Sequence, residues 1–202
     1  MEQPEPNLTD DDLTPAPSLT RRERETVRKK NRTRSTLEWV VVIAAAIVIA
    51  LVLRTFVIQT FYIPSDSMVP TLQQHDRVVV NKLSYHMHDV HRGDIVVFTT
   101  PKGVNPQFKD LVKRVVGLPG ETVQGKGGHV FVNGKQLPET YLPKGTYTSD
   151  FGPTEVPANS YWVMGDNRGD SEDSRVFHAI PGKTIVGRVF VRIWPLNRIG
   201  IF

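Results

Sequence analysis

The chain has 202 residues, a formal net charge of +4 and no cysteine, which excludes disulfides, thiol nucleophiles and thiolate metal sites. The charge is unevenly spread: residues 1–20 carry five acids and no base, residues 21–34 carry eight Lys/Arg against two Glu, and the rest is close to balanced. A nucleic-acid-binding protein carries its basic excess on the folded part; here the excess sits in an N-terminal block, so nucleic acid is not an expected partner.

Met1–Thr20 is rich in acids and proline and almost devoid of large apolar residues, a composition that predicts disorder. The basic block Arg21–Arg34 (RRERETVRKKNRTR) fits a nucleic-acid arm, a solvated helix or the cytoplasmic flank of a membrane helix, and the following residues decide for the last. From Trp39 to Leu53 fifteen consecutive residues are apolar, and after Arg54-Thr55 the run resumes with Phe56-Val57-Ile58. About 20 helical residues span a bilayer core, and a soluble helix of this length would show a polar face. Bases ahead of the span place the N-terminus in the cytoplasm. The bulky residues Phe56-Val57-Ile58 after the run offer no signal-peptide cleavage site, so an uncleaved anchor is expected, with everything from about Gln59 outside.

Beyond the anchor the pattern is β. Short β-branched runs recur between Gly, Pro and Asn at Arg77–Asn81, Asp94–Phe98, Leu111–Val116, Val130–Val132, Tyr161–Met164 and Gly187–Ile193. Asn133-Gly134 after His129–Val132 is a two-residue hairpin signal. Gly125–Pro157 is rich in Gly, Pro, Thr and Lys and poor in aliphatics, which reads as a hairpin and loop appendage inserted into the main β domain. The expected organisation is a disordered cytoplasmic tail with its basic block at 1–35, a single transmembrane helix at 36–58, an extracytoplasmic β domain from 59–124 and 158–202, and a small hairpin and loop insertion at 125–157.

Three stretches carry polar groups with chemical potential. Phe61–Leu72 (FYIPSDSMVPTL) boxes Ser65 and Ser67 between Pro64 and Pro70, whose rings stiffen the segment and can hold a hydroxyl in one place. Serine needs a partner to take its proton. His86-Met87-His88-Asp89-Val90-His91 lacks the helical spacing and the glutamate of a zinc protease, and a polar connection between strands explains it as well. In Leu111–Val116 strand alternation puts Lys113 on one face and Arg114 on the other. If one face is core, one cation is desolvated, and a buried lysine becomes a neutral base; periodicity does not say which of the two it is. Gly165–Arg175 (GDNRGDSEDSR) is a loop suited to a buried polar network, and it fails as an EF-hand because position 3 would be Arg168 and position 12 Phe177.

Together, in this order behind an N-in anchor, these stretches resemble the bacterial type I signal peptidases, which cleave signal peptides with a serine–lysine dyad. The resemblance also rests on Arg92–Phe98 (RGDIVVF), Val112–Val123 (VKRVVGLPGETV) and Gly187–Gly200 (GRVFVRIWPLNRIG), and it covers the anchor and nearly all of the chain from Phe61 onward. It implies an all-β fold with a mainly antiparallel catalytic core and a smaller β cap, and by position Ser67 as nucleophile, Lys113 as general base, and Ser65 with the Ser67 backbone N–H as oxyanion hole. Ser171 would position the lysine amine, Asp173 and Arg175 would form a supporting ion pair, and Gly165 and Asp166 would lie beside the lysine. Phe61, Ile63, Pro64, Met68, Leu72 and Val112 would line the substrate pockets.

The implied substrates are signal peptides of secreted preproteins with small residues such as Ala at the first and third positions before the cut, and the implied setting is the bacterial plasma membrane. The implied chemistry needs no metal or cofactor. Gly169-Asp170 stands where the family commonly has Asp-Asn, and His178 where it has Gly. A self-cleaving repressor-type peptidase shares the dyad but would carry a DNA-binding module instead of a span. A membrane-anchored peptide-binding β protein without catalysis is the rival from another class, and intact Ser67 and Lys113 argue against it.

Overall fold

The computed structural model describes residues 21–52, 58–104 and 108–202, so the expected disordered stretch at 1–20 and residues 53–57 of the expected anchor lie outside the described residues. Helix α1 runs from Arg21 to Val52. Helical backbone thus begins within the basic block, ahead of the expected start at residue 36, because Arg, Lys and Glu are themselves good helix formers. In the apolar part Trp39, Val41, Ile43, Ile47, Ile49 and Leu51 are each more than half exposed. Among the described residues no helix is long and apolar enough to cross a membrane. The chain divides into two compact units, the first ending at Ala50 and the second running from Leu51 to Phe202.

The larger unit is mostly β-sheet, and every described strand pair in it is antiparallel. An eight-stranded sheet contains β1 (Ile58–Tyr62), β2 (Arg77–Asn81), β3 (Ile95–Thr99), β4 (Asp110–Gly117), β9 (Ser160–Met164), β10 (Ile180–Pro181), β11 (Ile185–Trp194) and β12 (Gly200–Ile201). Its order is β1-β2-β11-β3-β4-β9-β10, with β12 on β11. A four-stranded sheet, in the order β7-β6-β5-β8, comprises β5 (Thr122–Lys126), β6 (His129–Val132), β7 (Lys135–Gln136) and β8 (Phe151–Glu155). It is inserted between β4 and β9, and the boundary expected between residues 124 and 125 falls inside β5. The two other described α-helices are single turns, α2 (Ser84–Met87) and α3 (Ser174–Phe177).

The β-branched runs form strands because they are buried. In β3 the side chains alternate between two cores: Ile95 and Val97 pack with Ile63, Met68, Leu72 and Val80, whereas Val96 and Phe98 pack with Val115, Val163 and Ile180. A strand covered on both faces reads as a continuous apolar run, as Ile95–Phe98 does. Asn133 and Gly134 both have positive φ (51° and 76°) and join β6 to β7, the geometry that a two-residue hairpin requires. Strand β1 lacks a comparable signal because its burial is partial and its first residue continues the apolar run of the expected anchor.

The topology positions the polar groups. β4 lies between β3 and β9, with Val96 opposite Lys113 and Met164 opposite Arg114. The chain leaving β9 after Met164 therefore enters Gly165–Arg175 beside the strand that carries both cations.

Candidate active site

The segment carrying the two serines is anchored on both sides by core residues. Ile63, Met68 and Leu72 are buried, and the backbone is tied by Ile63 N–H to Asp76 O (2.9 Å), Val69 N–H to Asp66 O (3.0 Å) and Leu72 N–H to Met68 O (2.9 Å). Ser65 and Ser67 fall between these anchors, with their Oγ atoms 3.4 Å apart. The Ser67 carbonyl accepts from Asn167 N–H at 3.1 Å, and the Asp66 carbonyl accepts from Asn167 Nδ2 at 3.2 Å. The glycine before this contact is required by close approach: a Cβ on Gly165 would lie 2.5 Å from Ser67 O and against Ser171 Oγ.

Lys113 reaches the same point from β4. Its Nζ donates to Ser67 Oγ at 2.6 Å, and the residue is 3% exposed. Burial lowers its pKa from the usual 10.5 to about 8; Asp173, Glu172 and Asp166 oppose that shift and Arg175 adds to it. A serine hydroxyl and a largely desolvated amine are thus in direct contact.

The loop after β9 is held by ion pairs. Asp173 is fully buried, accepts from Gly165 N–H (3.0 Å), and pairs with Arg175 through Nε to Oδ1 and Nη2 to Oδ2, each at 2.8 Å. Ser174 Oγ accepts from Val163 N–H at 2.8 Å and fastens the loop to β9. The structure does not bring Ser171 to the amine. Its Oγ is buried with no hydrogen-bond partner among the described residues, packed against Gly165.

Two adjoining depressions open at the serines. One of about 190 Å³ is lined by Ser65, Ser67, Lys113, Leu111, Asp170 and Glu172, among others. The other, of about 480 Å³ and mainly apolar, includes Phe61, Ile63, Pro64, Ser65 and Val112 in its wall. Met68 and Leu72, expected to line the pockets, line neither depression; they sit in the core beneath the serine segment. Of the histidine run, His88 and His91 place their rings 5.6 Å apart, and among the described residues no group of three or more His, Asp or Glu is placed to hold a metal ion.

Residues 36–194 match the family described as signal peptidase, peptidase S26. The chain belongs to that family. It is 46% identical to a signal peptidase I of Leptolyngbya laminosa over 81% of this chain and 82% of that one. It is 42% identical to a probable signal peptidase I-2 of Synechocystis sp. over 88% of this chain and 83% of that one. A crystal structure of a signal peptidase I from Enterococcus faecalis V583 aligns with 50% of this chain and 97% of its own, at 33% identity and a TM-score of 0.43. The resemblance to bacterial type I signal peptidases is borne out.

Several pairings of polar residues around the candidate site escaped the sequence reading. Both cations of β4 are buried, not one: Arg114 is 7% exposed and pairs bidentately with Asp166, Nε to Oδ1 at 2.8 Å and Nη2 to Oδ2 at 2.6 Å. Thr71 Oγ1 also donates to Asp166, at 2.5 Å. Arg168, 3% exposed, pairs with Glu139 of the inserted segment, in which the sequence reading named no site residue. Its only sequence signal is the presence of an arginine in a loop dense in polar groups. The departure at His178 has a visible backbone consequence: its φ is +64°, a conformation for which the family's commoner glycine carries no steric penalty. At Gly169 a Cβ would meet nothing within 4 Å, so the second departure leaves the packing there untouched.

Proposed function

We propose that this chain is a membrane-anchored serine endopeptidase that removes signal peptides from secreted preproteins with Ser67 as nucleophile and Lys113 as general base. The observation that carries the reading is the 2.6 Å contact between Ser67 Oγ and the buried Lys113 Nζ, with the amine's pKa lowered to about 8. An amine of that pKa is neutral in roughly a tenth to a fifth of molecules near neutral pH, against a far smaller share for an unperturbed lysine, and the lone pair of that form can accept the hydroxyl proton along the same line.

In the proposed reaction Ser67 Oγ loses its proton to Lys113 Nζ and attacks the scissile carbonyl. The oxyanion is held by the Ser65 hydroxyl and the Ser67 backbone N–H, donors fixed beforehand by the anchored segment. The Lys113 ammonium returns its proton to the leaving amine. Water, deprotonated by Lys113, then hydrolyses the acyl-enzyme and frees Ser67, in the serine–lysine variant of triad logic. Asp173 and Arg175 hold the neighbouring loop. Ser171, packed against Gly165 in the same loop, is assigned to orienting the Lys113 amine. Phe61, Ile63, Pro64 and Val112, which line the apolar depression, are assigned to receiving the small side chains at the first and third positions before the cut.

Residues 36–58 are proposed as the single span in the bacterial plasma membrane, with the tail at 1–35 in the cytoplasm and the β core and cap (59–124 with 158–202, and 125–157) outside. The exposed apolar side chains of α1 and the basic block ahead of them support that placement. Incubating the full-length protein in detergent with a preprotein carrying Ala at both specificity positions tests the function. Cleavage at that site by the wild type, abolished in Ser67→Ala and Lys113→Ala, is expected. Cleavage that survives Ser67→Ala overturns the assignment.

A further inference from the structure

Glu139 lies in the segment between β7 and β8, from which the family resemblance carries nothing to the site. Its carboxylate accepts from Arg168 Nη1 at 2.9 Å and pairs with Arg168 Nη2, and it also accepts from Tyr141 O–H at 2.7 Å. Thr148, another residue of this segment and 1% exposed, accepts from Arg168 Nη1 at 2.8 Å. The inserted segment therefore supplies the side-chain acceptors for a guanidinium whose side chain is 1% exposed.

Arg168 is also tied to the loop that meets the serine. Its Nε donates to Gly165 O at 3.0 Å and its backbone N–H to Asp166 O at 3.1 Å. Between these points Asn167 N–H holds the Ser67 carbonyl, and Gly165 is the residue whose missing Cβ leaves room for that carbonyl. A second strut joins the same two elements, since the Arg114 guanidinium, paired with Asp166, lies 4.2 Å from the Tyr141 ring centroid. The line Glu139–Arg168–Gly165/Asn167–Ser67 is continuous in hydrogen bonds and backbone.

We propose that Glu139 is a positioning residue of the reaction: through Arg168 it sets the backbone of Gly165–Asn167 and hence the place of Ser67. The proposal rests on the reading of Ser67 as nucleophile. Displacement of a reacting atom by ångström fractions lowers the rate of the chemical step without a matching change in ground-state binding. The charges that act most strongly on Lys113 are Asp173, Glu172, Arg175 and Asp166, so loss of Glu139 is expected to leave the pH dependence in place.

The test compares full-length wild type, Glu139→Gln and the double variant Glu139→Leu/Arg168→Met in detergent. The double variant removes the buried charges together, which preserves folding where a single change strands one charge. Kinetics on an Ala-containing preprotein and amide hydrogen exchange over residues 163–168 are recorded for each, with Glu155→Gln, an exposed acid on β8, as control. Expected for both variants is a fall in kcat of roughly ten- to a hundredfold, KM within about twofold, an unshifted pH profile, and faster exchange at 165–168 with the β2–β11 core still protected. A double variant that folds and regains wild-type kcat overturns the proposal, because the pair then serves stability alone. So does a loss of activity accompanied by faster exchange throughout both sheets. Failure of the dyad reading is separately visible as a wild type inert toward the preprotein, and the exchange arm still decides whether Glu139 holds the loop.

Discussion

Arg114 and Asp166 meet in a bidentate ion pair, at 2.8 and 2.6 Å, with side-chain exposures of 9% and 0%. The partners come from β4 and from the loop after β9, 52 residues apart, and the pair ties the strand of Lys113 to the loop that holds Ser67. Removing one partner of a buried pair strands a charge and costs about 3–5 kcal/mol, whereas replacing both with apolar residues of similar size is often neutral. Asp166→Ala is therefore expected to lose stability on that scale, and Arg114→Met/Asp166→Leu to recover most of it. Denaturant unfolding of the three proteins measures the difference, and equal losses in the single and double variants would contradict this account.

Lys113→Arg separates proton transfer from positive charge. A guanidinium stays protonated and cannot accept the Ser67 proton. The variant is expected to be as inactive as Lys113→Ala while remaining folded. Measurable turnover by Lys113→Arg, beyond the Ser67→Ala background, would remove Lys113 from the role of base.

The pH profile follows from the same group. In the proposed dyad only the neutral amine is competent, so kcat/KM is expected to rise with pH through about 8 and level off roughly a unit above it, where folded Lys113 has lost most of its proton. Preprotein cleavage assayed across the neutral to alkaline range, with stability monitored in parallel, checks the position of the rise. A profile flat through that region would remove the titrating lysine from the mechanism.

Stability carries the opposite face of this effect. The folded pKa lies near 8 and the unfolded value near 10.5, so between these pH values the unfolded chain binds more protons and stability rises with pH. Below about pH 8 the ammonium is buried at a cost of order 3 kcal/mol, from about 1.36 kcal/mol per pKa unit. Lys113→Met should then be stabilised relative to wild type at neutral pH, less the lost hydrogen bond to Ser67, with the advantage fading from pH 8 to pH 10.5. Unfolding curves at three pH values reveal the convergence; parallel curves would not fit a lysine desolvated to this extent.

Gly165 has no room for a side chain. A methyl there would meet Ser67 O at 2.5 Å, a backbone atom that cannot rotate aside. Gly165→Ala is expected to cost roughly 1–3 kcal/mol in stability and to lower kcat at least tenfold, a size of effect that small misplacement of a reacting group produces. Adding Ser171→Gly relieves only the hydroxyl contact, so the double variant should stay slow. Full recovery would place the steric problem at Ser171 alone.

Topology has its own measurement. With the basic block inside and one span, protease added to intact cells should digest residues beyond about 59 and spare the N-terminal tail. Digestion of the β domain only after lysis would reverse the proposed orientation.

Much of the fold was legible in local sequence. The β-branched runs at Arg77–Asn81 and Ile95–Phe98 became strands because burial of alternate or of all side chains is a short-range pattern, and Asn133-Gly134 became a hairpin because positive φ is a property of the residues themselves. The candidate pair Ser67 and Lys113 could be singled out for similar reasons: proline stiffening and strand alternation act over a few positions. The chain alone left open which cation of β4 is buried, and the answer is both. β4 is flanked by β3 and β9 and covered on each side, so Lys113 meets a hydroxyl while Arg114 meets a carboxylate. Ser171 turned to Gly165 rather than to the amine, and Met68 and Leu72 turned to the core rather than to a pocket, because side-chain direction depends on how the segments pack. Glu139, 29 residues before Arg168, gives no local sign of its partner. Periodicity records how exposed a residue is; which distant group it meets is decided only when the strands pair and the loops between them close.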